Sequence, residues 1–359
     1  MSVPVVSITD LYHPPEDPGD NIDLIMAYGL PEVDLRAVIL DALEEKRALI
    51  DGGVPGYPGP RDPGVIPVAQ LNAIFGRNVP SAMCPFTRMR SLTDQMRDVP
   101  AAQQFGIELL LRVLEESTEP VHLLSFGSAR PLAIAFNREP ELLHAKVARI
   151  HLSAGTTTPT YLEWNVVQDP IAMMRIVDSG LPLSLYPCAT IDSCYAYDHH
   201  NTFWSLPDLR WIEGMHPPLR RYLGYALARS SRPDYLRALE EDAPPEVMAD
   251  IYRRSHSVWE TAVWMNVSGR ILVRRLDGTH RIIRADDRQP GDVAFRNDQV
   301  PCTTTTHPSG LYSFQLTDEP ASTTIFVRDD PAEYEKAMTE AMPALYQSFR
   351  PNQWPTAAH

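Results

Sequence analysis

Five acids crowd one short stretch near the start of the chain: residues 9–24 read T-D-L-Y-H-P-P-E-D-P-G-D-N-I-D-L, with Asp10, Glu16, Asp17, Asp20 and Asp23. Carboxylates this close repel one another, and the repulsion is relieved by protons or by a cation. A hard cation such as Ca²⁺ takes roughly six to eight oxygen ligands, several of which carboxylates supply. The competing reading is local: Asp17-Pro18-Gly19 is a turn with an Asx start, and Asp20 caps the helix that follows. The residue types alone leave both readings open.

The elements around the stretch give it a place. Residues 3–8, V-P-V-V-S-I, form the short apolar run of a buried parallel strand, and residues 21–29 put Ile22, Ile25 and Met26 on one helical face. Residues 35–40, L-R-A-V-I-L, read as a second strand. This βαβ opening predicts an α/β fold, an open, mostly parallel Rossmann-like sheet flanked by helices, with ligands bound outside the carboxyl ends of its strands. The acids follow the first strand directly and therefore sit at that end.

The pattern continues with helices over residues 101–116, around 132–136, over 170–179 and over 219–229, and strands over 121–125, 148–153, 182–186 and 323–327. A hairpin is expected across 269–284, centred on Asp277-Gly278, and an amphipathic helix closes the pattern over 331–349. Residues 54–67, V-P-G-Y-P-G-P-R-D-P-G-V-I-P, read as neither helix nor central strand, but as a surface loop or a lid over a site. The expected organisation is one domain over 1–359: a core sheet over about 1–190, a helical and loop insert over about 191–268, and a hairpin, strand and helix over about 269–350.

Composition narrows the partners. A formal net charge of −14 and a sequence pI near 5.2 argue against nucleic acid and anionic membrane surfaces, which call for clustered Lys and Arg. Cys84, Cys188, Cys194 and Cys302 form no C-x-x-C pair, so they suggest reduced thiols in a cytoplasmic protein rather than a zinc site or a disulfide framework. The first residues lack a basic leader, and no segment approaches 18 consecutive apolar residues, which disfavours a signal peptide and a membrane span.

Several segments, in order, carry a resemblance to the inosine-uridine preferring nucleoside hydrolase family. That family opens with a strand, D-x-D-P-G-x-D-D and a helix closing in P-E; D-N-I-D-L-I-M-A-Y-G-L-P-E-V-D-L-R-A-V, residues 20–38, matches from the last Asp of that motif without a gap. L-L-S-F-G-S-A-R-P-L-A-I-A, residues 123–135, looks like the family's strand, T-G-P-L-T-N-x-A and helix. L-E-W-N-V-V-Q-D-P-I-A-M-M-R-I-V, residues 162–177, is similar to its A-E-F-N-x-x-x-D-P-E-A-A, and the C-terminal strand and helix fit as well.

The resemblance implies a metal-dependent hydrolase that cleaves the N-glycosidic bond of a nucleoside or related N-riboside, with a metal-activated water attacking the anomeric carbon. It implies Ca²⁺ held by Asp10, Asp17, Asp20, the Phe126 carbonyl and Glu260, and a sugar and base contacted by Glu163, Trp164, Asn165, Trp259 and His200. Its members act on small molecules and form homodimers or homotetramers.

Two positions depart from the family. Its general base aligns with Gly19, which cannot take a proton, so Asp17 or Glu16, in a loop three residues longer than the family's, is the expected replacement. The leaving-group His of its H-D-P segment aligns with Trp259 in V-W-E-T-A-V-W, and an indole stacks on a base but is no acid at neutral pH. His199-His200, in Y-A-Y-D-H-H-N-T-F-W, either supplies that proton from a substrate loop or is a surface pair. The alternative to an enzyme is a catalytically silent nucleoside- or ribose-binding protein on the same scaffold.

Overall fold

The computed structural model describes residues 2–15, 17–48, 59–191 and 193–351. The strands are β1 Val3–Thr9, β2 Val33–Leu40, β3 Ser81–Met83, β4 Val121–Ser125, β5 Val147–Leu152, β6 Leu183–Leu185, β7 Trp204–Leu206, β8 His256–Val258, β9 Arg270–Arg274, β10 His280–Arg284, β11 Val293–Ala294, β12 Asp298–Thr306, β13 Tyr312–Leu316 and β14 Thr323–Val327. The α-helices are α1 Pro18–Gly29, α2 Glu44–Ala48, α3 Val65–Phe75, α4 Phe105–Glu116, α5 Arg130–Arg138, α6 Pro140–Lys146, α7 Trp164–Gln168, α8 Pro170–Val177, α9 Pro217–Leu227, α10 Pro245–Tyr252, α11 Thr261–Ser268 and α12 Pro331–Ser348.

Among the described residues nine strands form one sheet, in the order β13-β12-β14-β6-β5-β4-β1-β2-β3. The run from β14 to β3 is parallel, and β12 and β13 add an antiparallel edge. The fold is therefore α/β, a mostly parallel sheet flanked by helices. The alternation of side chains along each strand sends Val5, Val38 and Leu40 to one face, packed with α1, α9, α11 and α12, and Val6, Ala37 and Ile39 to the other, packed with α4, α5 and α8. Both faces are covered, which is why the strands read as unbroken apolar runs.

From β1 the chain runs outward through β2 to β3, and from β4 it runs the other way through β5 to β6. The reversal lies between β1 and β4, where open α/β sheets place their ligands. Asp10 follows β1 and Phe126 follows β4, held to its neighbour by Phe126 N–H donating to the Ile8 carbonyl at 2.8 Å.

Two expected boundaries change. Of residues 54–67, those up to 58 lie outside the described residues, and 65–67 open α3 instead of extending the loop. Pro67 is tolerated because the first turn of a helix uses none of its own N–H groups. The segment from 101 divides into a short 3₁₀ turn, Ala101–Gln103, and α4.

Candidate active site

The cavity at the reversal point has a volume of about 420 Å³. Asp10, Asp17, Asp20, Phe126 and Glu260 line it on one side, and Glu163, Trp164, Asn165 and Trp259 line it elsewhere. Nine of the residues expected to form a site thus meet in one cleft, although they come from four separate segments of the chain.

Local structure explains each placement. Asp17 is the N-cap of α1, its Oδ1 accepting from Gly19 N–H at 2.7 Å, with Pro18 at the first helical position. One turn on, Asp20 Oδ1 accepts from Thr9 Oγ1 at 3.4 Å, joining the helix to the end of β1. Asp10 Oδ2 accepts from Gln168 Nε2 at 2.7 Å, a link to α7. The helix cap expected at Asp20 belongs to Asp17, because the helix starts at Pro18 and takes Asp20 into its first turn, and the Asp17 carboxylate also lines the cavity.

Asp10 and Asp20 are partly open to the cavity but set deep in the protein. Burial, followed by the charge of Asp41, pushes the Asp10 carboxyl well above the usual carboxylate range. Asp20 is raised in the same sense by burial and then by Asp10, Asp17 and Glu260. Carboxylates that raise one another in this way favour a cation among them.

The donor set, carboxylate oxygens and the Phe126 carbonyl, has the chemistry of a hard-cation site. Their spacing is open: among the described residues no three His, Cys, Asp or Glu side chains converge as they stand on a position for a metal ion. A bound ion would need to draw them inward.

On the opposite wall, Glu163 caps α7, accepting from Asn165 N–H at 2.6 Å and Val166 N–H at 3.2 Å. It is 1 % exposed, and burial pushes its carboxyl up to about 8. Asn165 Nδ2 donates to the Ser153 carbonyl at 2.8 Å and approaches the Phe126 carbonyl at 3.5 Å, so it braces the floor of the cleft. Trp164 is 43 % exposed, with Lys46 Nζ 3.5 Å from its ring centroid. Trp259 Nε1 donates to the carbonyls of Cys188 at 2.9 Å and Cys194 at 3.3 Å, and its ring packs against Phe203 and Tyr195, which makes it a fixed aromatic wall.

One expected residue is placed differently. His200 is not part of the cavity lining: its Nδ1 lies 2.8 Å from the Phe326 carbonyl and its ring meets Phe314 edge-on, against the antiparallel edge of the sheet. The aromatic loop folds back on the end of β14, and the His pair goes with it. Glu16 lies outside the described residues.

The sequence reading gave no role to Asp23 or His256. Asp23 follows Asp20 by three positions and so shares its helix face, a spacing legible in the sequence. It is 4 % exposed, burial and then the neighbouring Glu260 push its carboxyl well above the usual carboxylate range, and it lines a small void beside the main cavity with Asp20, Phe126, Glu260 and Trp264. His256, on β8, is a lone histidine in a three-residue strand, and nothing in its sequence neighbourhood marks it.

Comparison with known proteins shows what the chain is similar to. No family model matches the chain. It is 30% identical over 189 residues to the pyrimidine-specific ribonucleoside hydrolase RihA of Enterobacter sp. (strain 638), covering 46% of this chain and 56% of that relative. The Salmonella agona RihA is also 30% identical, over 190 residues, with the same coverage. The chain thus spans about half the length of the curated relatives it matches. Among solved structures it is similar to the inosine-uridine preferring nucleoside hydrolase of Bacillus anthracis, with a TM-score of 0.53 and 14% identity over 97% of this chain and 99% of that one. It is likewise similar to the purine-preferring ribonucleoside hydrolase of Gardnerella vaginalis, with a TM-score of 0.54 and 13% identity over 96% and 99% of the two chains.

Proposed function

We propose that this chain, a divergent nucleoside hydrolase-like protein, hydrolyses the N-glycosidic bond of a nucleoside or a related N-riboside. What supports the reading most is the joint occurrence, at the sheet's reversal point, of a cluster of carboxylates and an aromatic wall lining one cavity.

In this reading Asp10, Asp17, Asp20, the Phe126 carbonyl and Glu260 hold Ca²⁺, and Asp23 lies beside them. When bound, the ion would orient the sugar hydroxyls and lower the pKa of a water. The chain's own residues do the rest. Asn165 and Glu163 fix the sugar side of the cleft, their geometry preset by α7 and its cap. Trp259, locked by two carbonyls, presents an aromatic face for a heterocyclic leaving group, and Trp164 closes the opposite rim. Asp17, one turn from Asp20, is the carboxylate on the loop that stands nearest the position aligned with the family's base.

A second reading rests on Gly19 and Trp259. An indole N–H already committed to two carbonyls has no proton to give, so a chain that binds ribose without cleaving it fits the same cavity. Release of free base from a panel of purine and pyrimidine nucleosides, measured with Ca²⁺ and again with chelator, separates the two. The hydrolase reading expects release with Ca²⁺ that chelation abolishes. Calorimetric ribose binding with no release from any nucleoside contradicts it and supports the silent reading.

A further inference from the structure

In the hydrolase reading Asp17 holds the cation and its carboxylate also caps α1, so a separate group is needed to take the proton from the attacking water where Gly19 stands. We propose that His256 is that general base. The inference rests on the hydrolase reading and assigns a catalytic residue to it.

His256 reaches the cleft from β8, an element remote from the acidic loop in sequence, and lines the same cavity. It also stands beside the backbone of residue 19: a Cβ placed on Gly19 would lie 3.4 Å from His256 Cε1 and 3.1 Å from Asp17 Oδ1. The imidazole and the Asp17 carboxylate therefore flank the space into which a side chain at position 19 would project. Its Nε2 is buried without a hydrogen-bond partner, and the residue is only 5 % exposed. An unpartnered buried nitrogen costs about 1–3 kcal/mol, which a hydrogen-bonding partner bound in the cleft would offset. Burial also pushes the imidazole down to about 4, so at neutral pH it is uncharged, and a weaker base than an exposed histidine.

The step balances without a further reactant. His256 accepts a proton from water as the water oxygen bonds to the anomeric carbon. The C–N bond breaks, its electron pair leaves with the base, and the base takes a proton from solvent. His256 then returns its own proton to solvent.

The test uses His256→Gln and His256→Ala in the full chain with Ca²⁺. General-base catalysis is worth about 10²- to 10⁴-fold, so kcat is expected to fall within that range in both variants. KM and the calorimetric affinities for ribose and Ca²⁺ are expected to stay close to wild type. Added imidazole should restore part of the kcat of His256→Ala, which a merely structural role would not produce. Unchanged kcat in His256→Gln, or a loss that imidazole does not repair and that comes with weakened ribose binding, overturns the assignment while leaving the hydrolase reading intact. A wild-type chain that releases base from no nucleoside overturns both.

Discussion

Glu163 carries a carboxyl that burial raises even though backbone N–H groups of Gly155, Asn165 and Val166 act to lower it. Because its folded value of about 8 lies above the ordinary 4.5, the folded chain keeps a proton that the unfolded chain has lost between those pH values. Its contribution to stability is therefore full below about 4.5 and is lost as pH rises through about 8. Glu163→Gln cannot ionise, so urea unfolding at pH 5 and pH 8.5 should show a smaller decline with pH in the variant than in wild type. An identical decline in both would show that Glu163 is not the group responsible.

At Asp20, replacement by Ala removes a carboxylate that faces both the main cavity and the void beside it. Calorimetry should then show Ca²⁺ affinity reduced at least about tenfold, since affinity follows ligand charge count. Unchanged affinity would move the cation elsewhere. The residue scale was also where the sequence was least legible: Asp10, Asp17, Asp20 and Glu260 announced themselves through clustering and family resemblance. His256 did not, because a single histidine in a three-residue strand has no pattern, and only the fold brings it to Gly19.

Behind the cleft, Asp41 at the end of β2 accepts from Ser128 N–H and Oγ and from Arg130 Nη2 at the start of α5, with both charged side chains fully buried. The pair fastens the ends of β2 and β4 to α5, next to Asp10. Arg130→Met would leave Asp41 buried and uncompensated, a loss of about 3–5 kcal/mol in unfolding free energy. Gly155, after β5, has φ +90, and a Cβ there would lie 2.3 Å from Tyr312 Cε1. Its carbonyl accepts from Cys188 and Ala189 N–H, so it also shapes the cavity wall. Gly155→Ala should destabilise by at least about 1–3 kcal/mol, by clash and left-handed strain together, measured by the same unfolding assay.

Which elements could be read in advance follows from their burial pattern. The central parallel strands were legible as apolar runs, and the β9–β10 hairpin through Asp277-Gly278. Strands β3, β7 and β8 are three residues each, too short to show a period. Helix α11, T-A-V-W-M-N-V-S, is buried nearly all round and so lacks an amphipathic stripe. β12 contains Pro301 and a run of four threonines, which reads as loop, yet it pairs on both sides at the antiparallel edge. Asp10 was thus legible at a strand end and Asp17 and Asp20 at the start of the helix after it, while the elements that bring His256 and Trp259 to them left little trace in the sequence.

Across the whole molecule, a chain of net charge −14 gathers several carboxylates at one cleft, and a cation that binds only the folded form should stabilise all of it. At Ca²⁺ concentrations near 100 times the dissociation constant the gain is about 2.7 kcal/mol. A thermal melt should therefore move upward by several degrees with Ca²⁺ and return with chelator, and Asp20→Ala should lose most of that response. Among the described residues no helix is long and apolar enough to cross a membrane.

The central claim is that the cleft breaks an N-glycosidic bond with the help of a cation held by the acidic loop. Its most direct test is the rate of free-base release from a nucleoside panel by wild type and Asp20→Ala, side by side, at saturating Ca²⁺. The account expects release from at least one nucleoside by wild type and a fall of several orders of magnitude in the variant. No release by wild type, or equal release by the two, would contradict it.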